Sequence, residues 1–176
     1  MTDPRLATVS ALVRNVPDFP KPGILFKDIT PVLADGEALR ACLDMLEERT
    51  HALRPEAVFG IESRGFIFGA ALAARLGCGF VPVRKPGRLP SATERVTYDL
   101  EYGTDTLEVH RDAIEPGERV LVCDDLIATG GTASATAELV RRLGGDVVGF
   151  AFVIKLAFLD GAAKLAPTPV VHLLEY

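Results

Sequence analysis

Cysteine is scarce in this 176-residue chain, and its placement excludes two chemistries. Cys42, Cys78 and Cys123 are odd in number, widely separated and set among apolar neighbours. No disulfide framework follows from that pattern, and no pair has metal-ligand spacing. Reduced core thiols and a cytoplasmic home are expected. Long apolar runs are missing as well. Stretches such as Val147 to Ile154 are far too short to span a bilayer, so no membrane partner is expected. Met1 to Leu6 lacks the basic and apolar character of a signal peptide, and export is not expected. No repeat, low-complexity segment or linker divides the chain, which predicts one domain over residues 1–176 with a substantial core. Positive charge is in the minority, with 19 Lys and Arg against 24 Asp and Glu and a net charge of −5. That balance argues against a nucleic-acid partner. Even so, Arg84, Lys85 and Arg88 fall within five positions. A basic patch in an acidic protein suits a small polyanion better than a polymer, although spacing alone does not separate it from a solvated loop.

The apolar pattern alternates between strand and helix. Ala7 to Val13 reads as a short helix, closed by Pro17, Pro20 and Pro22. Leu39, Cys42, Leu43 and Leu46 recur at helical spacing until Pro55. Ala57 to Ile61 reads as a buried strand, Gly65 to Leu76 as a helix closed by Gly77, and Phe80 to Val83 as a strand whose Pro82 suggests a sheet edge. Residues 85–95 are polar and rich in proline and glycine, which predicts a mobile loop. Val96 to Glu101 and Thr106 to His110 flank Tyr102 to Asp105 as a plausible hairpin. Ala133, Ala137 and Val140 mark a further helical face, closed by Gly144 and Gly145. Val147 to Ile154 and Val170 to Leu174 supply the last strands. Such alternation predicts an α/β fold with a mostly parallel central sheet flanked by helices.

Val120-Leu-Val-Cys-Asp-Asp-Leu-Ile-Ala-Thr-Gly-Gly-Thr132 is the most informative stretch. Its apolar run reads as a buried parallel strand with Asp124 and Asp125 at the carboxyl end, where open α/β sheets place ligands. Ala128, Thr129, Gly130, Gly131 and Thr132 then offer unencumbered N–H groups at a helix N-terminus, suited to phosphate. Carboxylates and phosphate repel unless the ligand also carries hydroxyls for the acids to accept. A ribose 5-phosphate satisfies both halves. The stretch lacks the Lys-Ser/Thr of a Walker A loop, so nucleoside triphosphate hydrolysis is not the natural reading.

This segment closely resembles the phosphoribosyl-pyrophosphate (PRPP) signature of type I phosphoribosyltransferases. The resemblance implies that fold, with a small N-terminal hood at about 17–34 and a flexible lid at about 85–105. The paired acids would lie under the ribose hydroxyls, and the loop would take the 5-phosphate. Ile61-Glu-Ser-Arg-Gly65 is similar to the family's pyrophosphate loop. Glu62, Ser63, Arg64 and Gly65 would bind there, with Arg64 offering a planar fork of donors and a cis peptide expected at Glu62–Ser63. Val83 to Pro90 and Leu100 to Gly103 resemble the lid-framing segments of adenine phosphoribosyltransferases. Arg84, Lys85 and Arg88 would meet the pyrophosphate on lid closure, with Tyr102 part of the lid. Glu101 matches an acid placed near purine and ribose; it would either manage the proton lost from the base or stabilise charge developing on the ribose.

Pro17 to Thr30 resembles the hood of adenine phosphoribosyltransferases almost residue for residue. Phe26 would stack on the purine, backbone groups of Leu25 and Lys27 would read its Watson–Crick edge, and Leu156 would close the other ring face. Fixed backbone partners reject 6-oxopurines because mismatched groups stay unpaired. This chain departs from the pattern at Lys27, where relatives often have arginine; at Arg88, where many have lysine; and at Lys155, where an acid or asparagine is usual. The resemblance implies adenine and PRPP as substrates, AMP and pyrophosphate as products, Mg2+ held mainly by PRPP, and a homodimer. A hypoxanthine, guanine or xanthine phosphoribosyltransferase and a PRPP-sensing regulator are the alternatives. His51, His110 and His172 lie outside every motif.

Overall fold

Apolar runs bounded by proline and glycine settle into strands, and periodic segments into helices, largely in the order the sequence predicts; the strands Arg14–Pro17 and Leu25–Asp28 and the helix Thr30–Ala34 are not expected from it. The structure, a computed structural model, describes residues 3–99 and 103–176. The chain forms two compact units, Met1–Met45 and Leu46–Tyr176.

In the first unit, α1 (Pro4–Leu12) starts at Pro4 rather than Ala7. Proline has no N–H to lose at a first helical position, and the Asp3 side chain accepts from the Arg5 backbone N–H. β1 (Arg14–Pro17) and β2 (Leu25–Asp28) pair antiparallel, with Val16 opposite Phe26. The connection between them turns at Asp18 and Gly23, both at positive φ, and the Gly23 N–H donates to Asp18 Oδ1 at 2.7 Å. α2 (Thr30–Ala34) leads into α3 (Gly36–Thr50), which crosses from one unit to the other. Asp35 Oδ1 accepts from the N–H groups of Glu37 and Ala38 at the start of α3. Ala38, Ala41, Cys42, Leu43, Met45, Leu46 and Thr50 are buried, with Leu39 half-buried beside them.

The second unit is built on a five-stranded sheet in the order β4-β3-β7-β8-β9. β3 (Ala57–Ile61), β4 (Gly79–Val83), β7 (Arg119–Ile127), β8 (Asp146–Lys155) and β9 (Val170–Glu175) are all parallel. Every residue of β3 is buried, as expected of an inner parallel strand covered on both faces. β4 stands at the edge, where Pro82 breaks no inner ladder. α4 (Gly65–Leu76) packs on β3, β4 and β7, and Gly77 at φ +69° closes it. α5 (Gly131–Arg142) packs on β7 and β8. Ala133, Ala137, Leu139 and Val140 of α5 enter a core shared with Phe59, Val122, Phe150 and Phe152.

β5 (Thr93–Asp99) and β6 (Thr104–His110) form the hairpin and also pack on α5. Here the structure corrects two expectations. Thr93 to Arg95 belong to a strand instead of the 85–95 loop, and Thr104 and Asp105 belong to a strand instead of the turn. Register explains both: cross-strand pairs run from Thr93 with His110 to Asp99 with Thr104, so pairing continues past the polar residues that suggested a loop. The ends of β4 and β6 are tied by reciprocal backbone bonds between Arg84 and Glu108, at 2.9 and 2.8 Å. Leu100, Glu101 and Tyr102 lie outside the described residues.

Candidate active site

β7 carries the two acids to one rim of the sheet. They do not terminate the strand, as the sequence suggested, because β7 runs on to Ile127. The reason is that its two neighbours stop at different heights. Pairing with β3 ends at Cys123, whereas pairing with β8 continues through Asp124, Leu126 and Ile127. Asp124 and Asp125 therefore lie where β7 has lost one partner and kept the other.

Asp125 is buried, and its Oδ2 accepts from Arg64 Nε at 2.5 Å. Asp124 is half-buried, and its Oδ1 accepts from the Asp125 N–H at 2.9 Å. Burial, followed by the neighbouring Asp125 charge, pushes the Asp124 carboxyl well above the usual carboxylate range. Beyond the acids, Gly130 adopts φ +77° as the residue before α5, and no side chain caps that helix. Arg64, both acids, Ala128 to Thr132 and Phe152 line one cleft of about 220 Å³.

Two glycines bring backbone into this cleft. A β-carbon on Gly65 would stand 2.8 Å from Asp124 Oδ1 and 2.9 Å from the Cys123 carbonyl, so the start of α4 lies directly on β7. Gly161 opens a short helical turn (Gly161–Leu165) whose backbone presses on the phosphate-type loop. A β-carbon there would stand 2.1 Å from the Ala128 carbonyl.

The segment before α4 forms the second part of the site. The Glu62–Ser63 peptide is cis, as expected from the resemblance. The Glu62 N–H donates to the Val83 carbonyl at 2.9 Å, joining this turn to the end of β4. The Glu62 carboxylate receives the Lys85 N–H at 2.9 Å and Arg84 Nε at 3.2 Å. The Lys85 hydrogen bond leads in holding Glu62 below the ordinary carboxylate range; burial opposes it and Arg84 assists. Arg84 also donates to the Arg88 carbonyl at 3.1 Å, and Lys85 Nζ is ion-paired with Asp105. Arg84 and Lys85 are thus organised by carboxylates and backbone, while Arg88 is exposed and contributes its carbonyl.

Sheet-edge acids, a helix N-terminus and adjoining guanidinium groups make a site for a ligand that carries both hydroxyls and phosphates. The phosphoribosyl transferase domain model matches residues 30–168. The adenine phosphoribosyltransferase of Sorangium cellulosum (strain So ce56) is 64% identical over 161 residues, covering 92% of this chain and 80% of that protein. The chain belongs to the adenine phosphoribosyltransferase family. Among solved structures, adenine phosphoribosyltransferase from Rhodothermus marinus DSM 4252 has a TM-score of 0.93 at 56% identity, with 98% of this chain and 99% of that chain covered. The Saccharomyces cerevisiae adenine phosphoribosyltransferase, complexed with D-2,5-dideoxy-2,5-imino-altritol 1,6-bisphosphate and adenine, has a TM-score of 0.90 at 40% identity, with 97% and 98% covered.

Within this family member, the hood residues named from sequence occupy one strand. Leu25 is 52% exposed, Phe26 meets Phe19 edge to face with ring centroids 5.1 Å apart, and Lys27 Nζ donates to Asn15 Oδ1 at 2.8 Å. Val16, Phe19, Phe26, Asp28 and Thr30 line a hollow in that unit. In the second unit, the half-buried Leu156 donates its N–H to the Ile127 carbonyl at 3.0 Å. Lys155 Nζ lies 3.0 Å from Glu175 Oε2, so this chain gives that lysine an acidic partner on the neighbouring strand. Glu101 and Tyr102 lie outside the described residues. Sequence reasoning missed Tyr98, Asp105, Glu108 and Gly161. Glu108 offered one signal: it is an acid between Leu107 and Val109 on a predicted strand, and all three are buried. Its carboxylate receives Gly87 N–H and Arg95 at 3.1 Å each.

Proposed function

We propose that the chain converts adenine and PRPP to AMP and pyrophosphate in purine salvage. The observation carrying this reading is the single cleft that joins Asp124, Asp125 and Arg64 to the Ala128–Thr132 loop. Asp124 and Asp125 take the ribose hydroxyls, while Ala128, Thr129, Gly130, Gly131 and Thr132 take the 5-phosphate. Glu62, Ser63, Arg64, Gly65, Arg84, Lys85 and Arg88 serve the pyrophosphate, with Arg64 the cation nearest the acids. Purine N9 forms its bond to ribose C1 from the face opposite the breaking bond to pyrophosphate, inverting that carbon. Glu101 is assigned to the base proton or to the positive charge on ribose, and Tyr102 to the lid at about 85–105. Phe26 stacks on the base, the backbone of Leu25 and Lys27 reads its edge, and Leu156 adds an apolar contact. Positioning and charge stabilisation carry the rate, with no covalent intermediate.

Mg2+ fits this donor set as a partner of the substrate. Among the described residues no group of three His, Cys, Asp or Glu is placed to hold a metal. No protein ligand is assigned to it: the ion would be held mainly by the hard oxygens of PRPP, with water completing its shell. Bound to PRPP, Mg2+ would neutralise charge on the leaving pyrophosphate. We assign the protein to the cytoplasm, where its free thiols Cys42, Cys78 and Cys123 are stable. No helix among the described residues is long and apolar enough to cross a membrane. A homodimer is proposed from the family resemblance, with Ile67 and Phe158, 45% and 75% exposed, as apolar surface for such a contact.

The test is incubation with PRPP, Mg2+ and, in parallel, adenine, hypoxanthine and guanine, with nucleotide products quantified. AMP from adenine alone is the expected result. Product from the 6-oxopurines would overturn the base assignment, and no product from any base would favour a PRPP-sensing regulator.

A further inference from the structure

The hairpin strands hold a polar relay that the proposed chemistry does not by itself require. Tyr98 on β5 and Asp105 on β6 are cross-strand partners. The Tyr98 ring packs against the core, so its hydroxyl is fixed in place. That hydroxyl donates to Asp105 Oδ2 at 3.2 Å and lies 3.1 Å from Thr132 Oγ1. The same Asp105 Oδ2 holds Lys85 Nζ, and Asp105 Oδ1 accepts the Thr106 N–H at 2.8 Å. A connected path therefore runs from Thr132 in the first turn of α5, through Tyr98 and Asp105, to Lys85 just past the end of β4. Thr132 belongs to the proposed 5-phosphate loop and Lys85 to the proposed pyrophosphate cations, so the relay joins the two charged ends of the substrate site.

Tyr98 has one phenolic proton and two neighbouring acceptors. Burial, the largest influence on it, raises the Tyr98 pKa above its ordinary value, so the phenol keeps that proton at neutral pH. With Lys85 on Asp105, the carboxylate shares its charge between ammonium and phenol. A 5-phosphate that accepts a hydrogen bond from the Thr132 hydroxyl leaves Thr132 Oγ1 to act as acceptor and draws the Tyr98 O–H toward it. Asp105 then loses the phenol and grips Lys85 harder. In the opposite order, pyrophosphate removes Lys85, the bared carboxylate claims the Tyr98 proton, and Thr132 loses that donor.

Resting on the proposed activity, we infer that Tyr98 and Asp105 are positioning residues whose shared proton sets 5-phosphate binding against pyrophosphate binding at Lys85. The consequence is release of pyrophosphate while the nucleotide phosphate is still held. The test is calorimetric: the Kd of magnesium pyrophosphate with and without saturating ribose 5-phosphate, in wild type, Tyr98→Phe and Asp105→Asn. The ratio of the two Kd values reports the antagonism. One net hydrogen bond corresponds to about two- to tenfold in that ratio. Both variants are expected to lower the ratio by that amount. A purely structural role would shift both Kd values together and leave the ratio at the wild-type value, which would overturn the inference, as would a higher ratio. Wild type that makes AMP while the variants keep its ratio defeats the relay alone. Wild type that makes no AMP defeats the functional reading on which the relay rests.

Discussion

Gly161→Ala tests the packing against the Ala128–Thr132 loop, because the three nearest atoms the new methyl meets belong to that loop's backbone. Its β-carbon would fall 2.1 Å from the Ala128 carbonyl oxygen, 2.6 Å from Gly130 N and 2.7 Å from the Thr129 carbonyl carbon. Ordinary contact begins at 3.4 Å. Backbone cannot rotate aside as a side chain can, so the loop must shift by about 1 Å, and misplacement on that scale can lower a rate on the order of 100-fold. Gly161 is not at positive φ, so alanine suffers the overlap without added backbone strain. Overpacking of this kind destabilises by about 1–3 kcal/mol, or about 2–12 °C in Tm for a chain of this size. Gly36→Ala is the control: nothing lies within 4 Å of its β-carbon, and it begins α3. That variant should melt at or slightly above the wild-type temperature. The assay pairs thermal melting with AMP formation as PRPP is varied. Gly161→Ala should lower both Tm and kcat/KM for PRPP. Wild-type values for both would refute the proposed contact between the Gly161 turn and the loop.

Three further perturbations probe other parts of the site. Asp124 has a raised folded pKa, so between the ordinary carboxylate range and that raised value the folded protein holds a proton the unfolded chain has lost, and stability falls as pH rises. Asp124→Asn should therefore melt higher than wild type at neutral pH, converge with it in acid, and bind PRPP more weakly; a gap in Tm that stays constant across pH would contradict the burial argument. Glu62 is depressed instead, so its stabilising contribution is present above the ordinary carboxylate pKa and fades as pH falls through the lowered value. Glu62→Gln should raise KM for PRPP about two- to fivefold, in line with a partly exposed ion pair, and unchanged KM would remove Glu62 from the alignment of Arg84 and Lys85. Phe26→Ala should weaken adenine binding about 5- to 150-fold, the range for loss of one base-stacking contact. If calorimetry found adenine affinity intact and only Tm lowered, Phe26 would be a core residue of the hood.

What the sequence determined by itself was whatever depends on neighbours along the chain. The apolar run Val120 to Cys123, the paired acids and the small-residue loop to Thr132 form one continuous strand, turn and helix start, and their spacing alone pointed to a phosphate-bearing ligand. The same holds for Ala57–Ile61 and Gly65–Leu76, whose observed limits match the predicted ones because proline, glycine and periodicity mark them locally. Tertiary structure decided the rest. β7 extends past its acids because β8 reaches farther along it than β3, a fact of register between distant segments. Lys85 meets Asp105, Tyr98 meets Thr132, and Gly161 meets Ala128 only once sheet, hairpin and final turn have packed. Each of those residues is ordinary in its own stretch of chain. A charge, a hydroxyl or a missing methyl acquires meaning from the atom it touches, and for these positions that atom is brought within reach by the fold.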